Sequence, residues 1–171
     1  MRESPLAQRI VAWDRAISRR WQETNTGWIH YLATAGAHLG DGWVWGLFLA
    51  LALVFMSPVE RPLLWRWAIS MAVAGGITTS IKFLWRRQRP LERRGFYSQT
   101  YDKHSFPSGH ATRMGTTTVY VPALLPKWGW LVLLITLWVG WSRVALGVHY
   151  LLDVVIGLAI GIVVSLIVLH W

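Results

Sequence analysis

Three clusters of residues, well separated along the chain, share one chemical theme. Lys82 is followed by Arg89-Pro90, next comes Pro107-Ser108-Gly109-His110, and then Ser142-Arg143 with His149 and Asp153. Together they hold three fixed cations, two imidazoles, one carboxylate and a glycine-containing turn. Forked guanidinium donors match phosphate oxygens, and a lysine adds a compact point charge. Lys82, Arg89 and Arg143 are therefore candidates for a phosphate cradle. Ser108 is a natural helix cap, and the backbone N–H groups that follow it favour anions, with Gly109 permitting close approach. His110, in that first turn, is suited to protonating a leaving oxygen. His149 and Asp153 are four residues apart. On a helix they would share one face, with the carboxylate accepting one ring N–H and turning the other nitrogen outward. Each cluster alone has a plainer explanation: basic residues at a helix end reach for the membrane surface, Pro-Ser-Gly starts many helices, and an Asp suits a helix N-terminus.

These residues must be positioned by an apolar scaffold. Of the 171 residues 54% are hydrophobic and only 15% charged, and 13 are Trp, a residue that favours membrane–water interfaces. The net charge of +9 beside apolar runs points to a membrane surface or an anionic substrate rather than to nucleic acid. The absence of Cys excludes disulfides, thiol nucleophiles and thiolate metal sites. No short basic segment precedes the first apolar run, so a cleavable signal peptide is not expected.

A membrane-spanning helix needs roughly 20 apolar residues. Five stretches approach this, at about 41–56, 63–85, 108–125, 128–147 and 149–171. The third is too polar to face lipid on all sides, carrying Arg113 and Thr116-Thr117-Thr118; it belongs inside a bundle with its hydroxyls bonded to neighbours or backbone. Pro122 is expected to kink or end it. Gly157-x-x-x-Gly161 in the fifth permits close helix contact, although this spacing is common in apolar segments. Ile10, Val11, Trp13, Ile17 and Trp21 recur at helical spacing among charges, as in an amphipathic helix lying on the membrane. Thr24–Gly27 breaks it, and residues 28–40 are expected to form a short helix or re-entrant piece, with a sixth span possible. The fold class is thus an all-α integral membrane bundle of about five transmembrane helices plus an N-terminal interfacial helix. It forms one domain, 1–171, divided into an arm (1–40) and a transmembrane core (41–171). In an antiparallel bundle all the clusters fall on one membrane face. Arg86, Arg87, Arg93 and Arg94 are expected to reach for the interface, where with Lys103 they could meet a second phosphate. His30, His38, His104 and His170 show no comparable partner spacing.

Read as Lys82-x6-Arg89-Pro90, Pro107-Ser108-Gly109-His110 and Ser142-Arg143-x5-His149-x3-Asp153, with Phe106 and Gly147-Val148 beside them, the clusters resemble the signature of the type 2 phosphatidic acid phosphatase superfamily over roughly residues 40–171. The resemblance implies a phosphohydrolase that needs no metal or other cofactor. It implies His149 as the nucleophile forming a phosphohistidine, Asp153 as its orienting group and His110 as the acid. Lys82, Arg89, Ser108, Gly109 and Arg143 would bind the phosphate. The implied partners are a lipid phosphate and the surrounding membrane lipids, and not nucleic acid. Substrates in the family range over phosphatidate, phosphatidylglycerol phosphate, undecaprenyl diphosphate, lipid A phosphates and sugar phosphates; the apolar spans argue against its soluble, vanadate-using branch. Many members have six spans, and here the interfacial helix would replace the first. Arg61, Arg66 and Lys127 lie on the face opposite the motifs, and the rest of the 17 Lys and Arg lie on the motif face. Charge alone would put that face in the cytoplasm; relatives in bacteria work on the outer face of the inner membrane, and that sidedness is the expectation carried forward. The alternatives are a lipid-binding or transport protein with a degenerate site, and a lipid phosphoryl transferase using the same histidine.

Overall fold

A computed structural model of the chain describes residues 4–91 and 103–171. Its seven α-helices are α1 (Pro5–Glu23), α2 (Gly27–Leu39), α3 (Gly42–Phe55), α4 (Arg61–Trp85), α5 (Gly109–Leu124), α6 (Gly129–Ala145) and α7 (Leu151–Leu169), with a 3-10 turn at Pro126–Trp128. Local chemistry sets the boundaries. Ser4 Oγ accepts from Ala7 N at 3.2 Å, and Pro5 pre-sets the first turn of α1. Gly27, at φ +52°, takes the left-handed turn that separates α1 from α2. Arg86, also left-handed, ends α4 four residues before Pro90, so the proline follows the helix end rather than making it.

The helices α4, Pro126–Ala145 and α7 are each long and apolar enough to cross a membrane, and α2 with α3, bent by 46°, make a fourth such unit. The expected count of five is not reached by length and hydropathy, because α5 has 16 residues and carries Arg113. It does not need to meet lipid: it packs against α4, α6 and α7 as the bundle's centre. Its polar groups are satisfied there. Thr78 bonds Thr112, Thr118 bonds Thr136 and Ser70 bonds Tyr120, each at 2.9 Å, while Thr116 and Thr117 bond the Arg113 carbonyl. Such pairing keeps buried hydroxyls from costing stability in an apolar bundle. Pro122 sits within the last turn of α5.

Gly157 and Gly161 decide how close α7 comes to α5. A Cβ on Gly157 would lie 2.5 Å from the Ser108 carbonyl oxygen, and one on Gly161 would collide with that of Thr112. The Gly-x-x-x-Gly spacing is thus a helix contact. The core beside it is aromatic: Trp67 stacks on Tyr120 with centroids 6.3 Å apart, and Trp45 packs on Trp67. The outer faces carry exposed Val54, Trp65, Leu84, Leu137 and Ile167, as lipid contact requires.

The arm keeps an exposed apolar stripe but buries two polar residues against the bundle. Asp14 and Ser18 are fully buried, while Leu6, Ile10 and Trp13 are exposed. The face of α1 turned to α6 and α7 is therefore a polar seam flanked by Val11 and Trp21. Ser18 Oγ accepts from Leu151 N at 3.0 Å and Asp14 Oδ1 accepts from Leu152 N at 2.9 Å, capping the start of α7.

Candidate active site

The motif residues come from four helix ends at one end of the bundle. Lys82 lies in the last turn of α4, Ser108 caps α5, Arg143 lies in the last turn of α6, and His149 sits two residues before α7. Backbone bonds tie these ends together. The Arg143 carbonyl accepts from His149 N at 3.1 Å across a turn in which Gly147 has φ +70°. Leu91 N donates to the Gly147 carbonyl at 2.9 Å, Ser105 N to the Arg87 carbonyl at 2.8 Å, and Ser108 N to the Asp153 carbonyl at 2.9 Å. The segment carrying Arg89 and Pro90 is thereby held between the turn before His149 and the chain entering α5.

The α5 start is capped as the sequence suggests. Ser108 is fully buried, its Oγ accepts from Ala111 N at 3.4 Å, and its carbonyl accepts the Thr112 N–H. The N–H groups of Gly109 and His110 come before the first intrahelical bond and carry the positive end of the helix dipole. His110 lies within electrostatic reach of Arg143, Arg113 and His149, so two imidazoles and two cations share one locus.

His149 is held differently from the expectation. It lies outside α7, so it does not share a helical face with Asp153. Its Nδ1 is 2.6 Å from the Ser105 carbonyl oxygen and 3.7 Å from Asp153 Oδ2. A carbonyl only accepts, so Nδ1 carries the proton and in the neutral ring the lone pair is on Nε2. The orienting partner is thus a backbone oxygen. Asp153 is fully buried, and its oxygens serve Arg87 (Oδ1, 2.6 Å) and Tyr150 N (Oδ2, 2.8 Å).

Arg87 is the clearest correction. It was expected to reach for the interface or a second phosphate, but it bridges Asp153 and Asp14, both at 2.6 Å, and lies over the Tyr150 ring at 4.1 Å. Burial works against its charge, but the two carboxylates outweigh this and hold its pKa above the ordinary arginine value. Arg86 is exposed with its Nε on the Phe83 carbonyl, and Lys103 is exposed; Arg93 and Arg94, with most of the Pro90–Pro107 loop, lie outside the described residues. His38 does have a partner: its Nδ1 is 3.0 Å from Asp41 Oδ2, and Asp41 Oδ1 is 2.8 Å from His110 Nε2. Asp14, Asp41, Arg87 and Ser105 are the site's unforeseen members. The two aspartates had one available signal, since an ionisable residue beside an apolar span is a functional candidate by default. A backbone carbonyl such as that of Ser105 has none.

Comparison with known proteins follows this geometry. The family model described as the PAP2 superfamily matches residues 63–171. A decaprenylphosphoryl-5-phosphoribose phosphatase from Mycobacterium tuberculosis is 37% identical over 145 residues, covering 80% of this chain and 78% of that protein. An undecaprenyl-diphosphatase from Sulfolobus acidocaldarius is 33% identical over 129 residues, 71% of this chain; the match spans 60% of that relative's length. The crystal structure of a transmembrane PAP2-type phosphatidylglycerolphosphate phosphatase from Bacillus subtilis superposes with a TM-score of 0.78 at 20% identity, covering 98% of this chain and 87% of that one.

Proposed function

We propose, from the premise that this chain belongs to the PAP2 superfamily, that it is an integral membrane lipid phosphate or diphosphate phosphatase. It works without a metal, through a phosphohistidine on His149. The observation that carries this reading is the 2.6 Å bond from His149 Nδ1 to the Ser105 carbonyl, which assigns the lone pair to Nε2. Lys82, Arg89 and Arg143, with the Ser108–Gly109 backbone, hold the phosphate oxygens as charge develops on them. His149 Nε2 bonds to phosphorus as the P–O bond to the leaving group breaks (an anhydride bond in a diphosphate, an ester bond in a monophosphate), and the leaving oxygen takes a proton from His110. Water then attacks the phosphohistidine and gives a proton back to His110. Asp153, 3.7 Å from Nδ1, steadies the positive ring that forms.

Two relatives carry names that specify polyprenyl-linked phosphates, which supports undecaprenyl diphosphate ahead of phosphatidylglycerol phosphate or phosphatidate. The case for a second phosphate loses Arg87, which is committed to two carboxylates. The protein is assigned to the cell membrane, with its site on the extracytoplasmic face.

The test is phosphate release by the full chain, purified in detergent, from these lipids with a chelator present. Wild-type protein should turn over and leave an acid-labile phosphoprotein. His149→Ala should fall to background while still binding orthovanadate, because the cradle survives. Turnover by the alanine variant would remove His149 as nucleophile, and a requirement for a divalent cation would remove the metal-independent mechanism.

A further inference from the structure

We infer that Asp41 is the positioning residue of His110: the carboxylate that fixes this imidazole's tautomer and supports its charge while it gives and regains the leaving-group proton. The inference rests on the phosphatase reading above, in which His110 is the acid.

Asp41 occupies the N-cap position of α3, where an aspartate ordinarily spends its carboxylate on helix N–H groups. Here the side chain makes no capping bond. Both oxygens go instead to imidazoles, Oδ1 to His110 Nε2 at 2.8 Å and Oδ2 to His38 Nδ1 at 3.0 Å. The side chain is 6% exposed, so this use of the carboxylate is built into the fold. The bend between α2 and α3 brings it there. A Cβ on Gly40 would lie 2.6 Å from Val139 Cγ1 and 2.9 Å from His110 Cδ2, and the Gly40 carbonyl accepts from Arg113 Nε at 3.2 Å. Only a glycine lets the bend approach His110 this closely.

The bonds define the protonation pattern. A carboxylate only accepts, so His110 Nε2 carries a proton. A guanidinium only donates, and Arg113 lies 3.4 Å from Nδ1, so Nδ1 presents its lone pair. That is the base form of His110, ready to take a proton from the water that attacks the phosphohistidine. The acid form adds a proton at Nδ1 in place of the long Arg113 contact, and that proton passes to the leaving oxygen as its bond to phosphorus breaks. The Nε2–H stays on Asp41 throughout, and Asp41 touches no substrate. Burial first, then Arg143, Arg113 and His149, oppose positive charge on His110, and Asp41 is the carboxylate that works against them in part.

The experiment compares leaving groups. An alkoxide needs a proton as it departs, whereas p-nitrophenolate does not. Phosphatidate and p-nitrophenyl phosphate are assayed with the full-length wild type, Asp41→Asn, His110→Ala and the double variant. Asp41→Asn should lower kcat on phosphatidate by about 10²-fold and on the aryl ester by less than about 5-fold, with KM little changed. His110→Ala should show the same selectivity, and adding Asp41→Asn to it should change nothing further. Equal losses on both substrates, or none, with Asp41→Asn overturn the assignment of Asp41 alone if His110→Ala remains selective. Absence of selectivity in His110→Ala itself overturns the acid role and the Asp41 assignment with it. If Asp41→Asn does not fold, ¹⁵N-histidine spectra of the wild type decide: His110 as the Nε2–H tautomer is expected, and an Nδ1–H tautomer overturns the inference.

Discussion

Each oxygen of Asp153 is already engaged, one by Arg87 and one by the Tyr150 N–H. An aspartate acting only as an orienting partner for His149 could be exchanged for asparagine at a cost in rate alone. Asp153→Asn instead sets an amide N–H against one of two donors and removes a charge that Arg87 needs. It should therefore lower both kcat and the thermal unfolding midpoint in detergent. Arg87→Ala should be more severe, because it leaves two buried carboxylates facing each other; breaking such a pair costs about 3–5 kcal/mol. A double variant of the two should lose less than the sum of the single losses. Unchanged midpoints would mean that the Asp14–Arg87–Asp153 chain is not structural. This chain was not legible from the residues because its links cross the sequence. Arg87 and Asp153 are 66 residues apart and Leu152 and Asp14 are 138 apart, so no spacing announces them. His149, His110 and the three cations were legible because phosphate chemistry dictates residue types within short segments.

Among the helices, close approach of α5 and α7 is what keeps Ser108 N on the Asp153 carbonyl, and so keeps the anion-binding helix start beside the His149 turn. Gly161→Leu should push α7 away at Thr112 and Thr116, lowering the unfolding midpoint and phosphate release together. Gly75 and Gly76 of α4 are a control, since a Cβ on either meets nothing within 4 Å. Gly75→Ala or Gly76→Ala should leave activity unchanged and raise stability by up to about 1 kcal/mol, the usual cost of a mid-helix glycine. Equal behaviour of the two glycine sites would contradict the packing account. The long apolar runs gave away α4, α6 and α7, and the excess of hydroxyls in α5 gave away its central place. The arm was harder to read: Asp14 and Ser18 recur at the same helical spacing as the apolar residues, and only the partner waiting at the start of α7 decides which stripe of α1 turns inward.

For the whole molecule, Lys and Arg counts are a weak guide to the leaflet that the site faces. The cations at the site end are not equivalent topological signals. Arg87 is neutralised by two aspartates, Arg113 is bonded to the Gly40 carbonyl, and Lys82, Arg89 and Arg143 belong to the proposed cradle. Arg9, Arg15, Arg19 and Arg20 lie on an arm that docks beside the site. Excess Lys and Arg orients a membrane protein through loops that carry no other task, and most of this excess has one. An extracytoplasmic site is therefore compatible with the charge distribution. The chain's lack of Cys makes the test direct. Thr24→Cys reports the site end, and Val59→Cys, at a position 88% exposed in the turn between α3 and α4, reports the other. A membrane-impermeant maleimide added to intact cells should label the first and spare the second until the cells are broken. The reverse pattern would place the site in the cytoplasm and restrict its substrate to lipid phosphates presented on that leaflet.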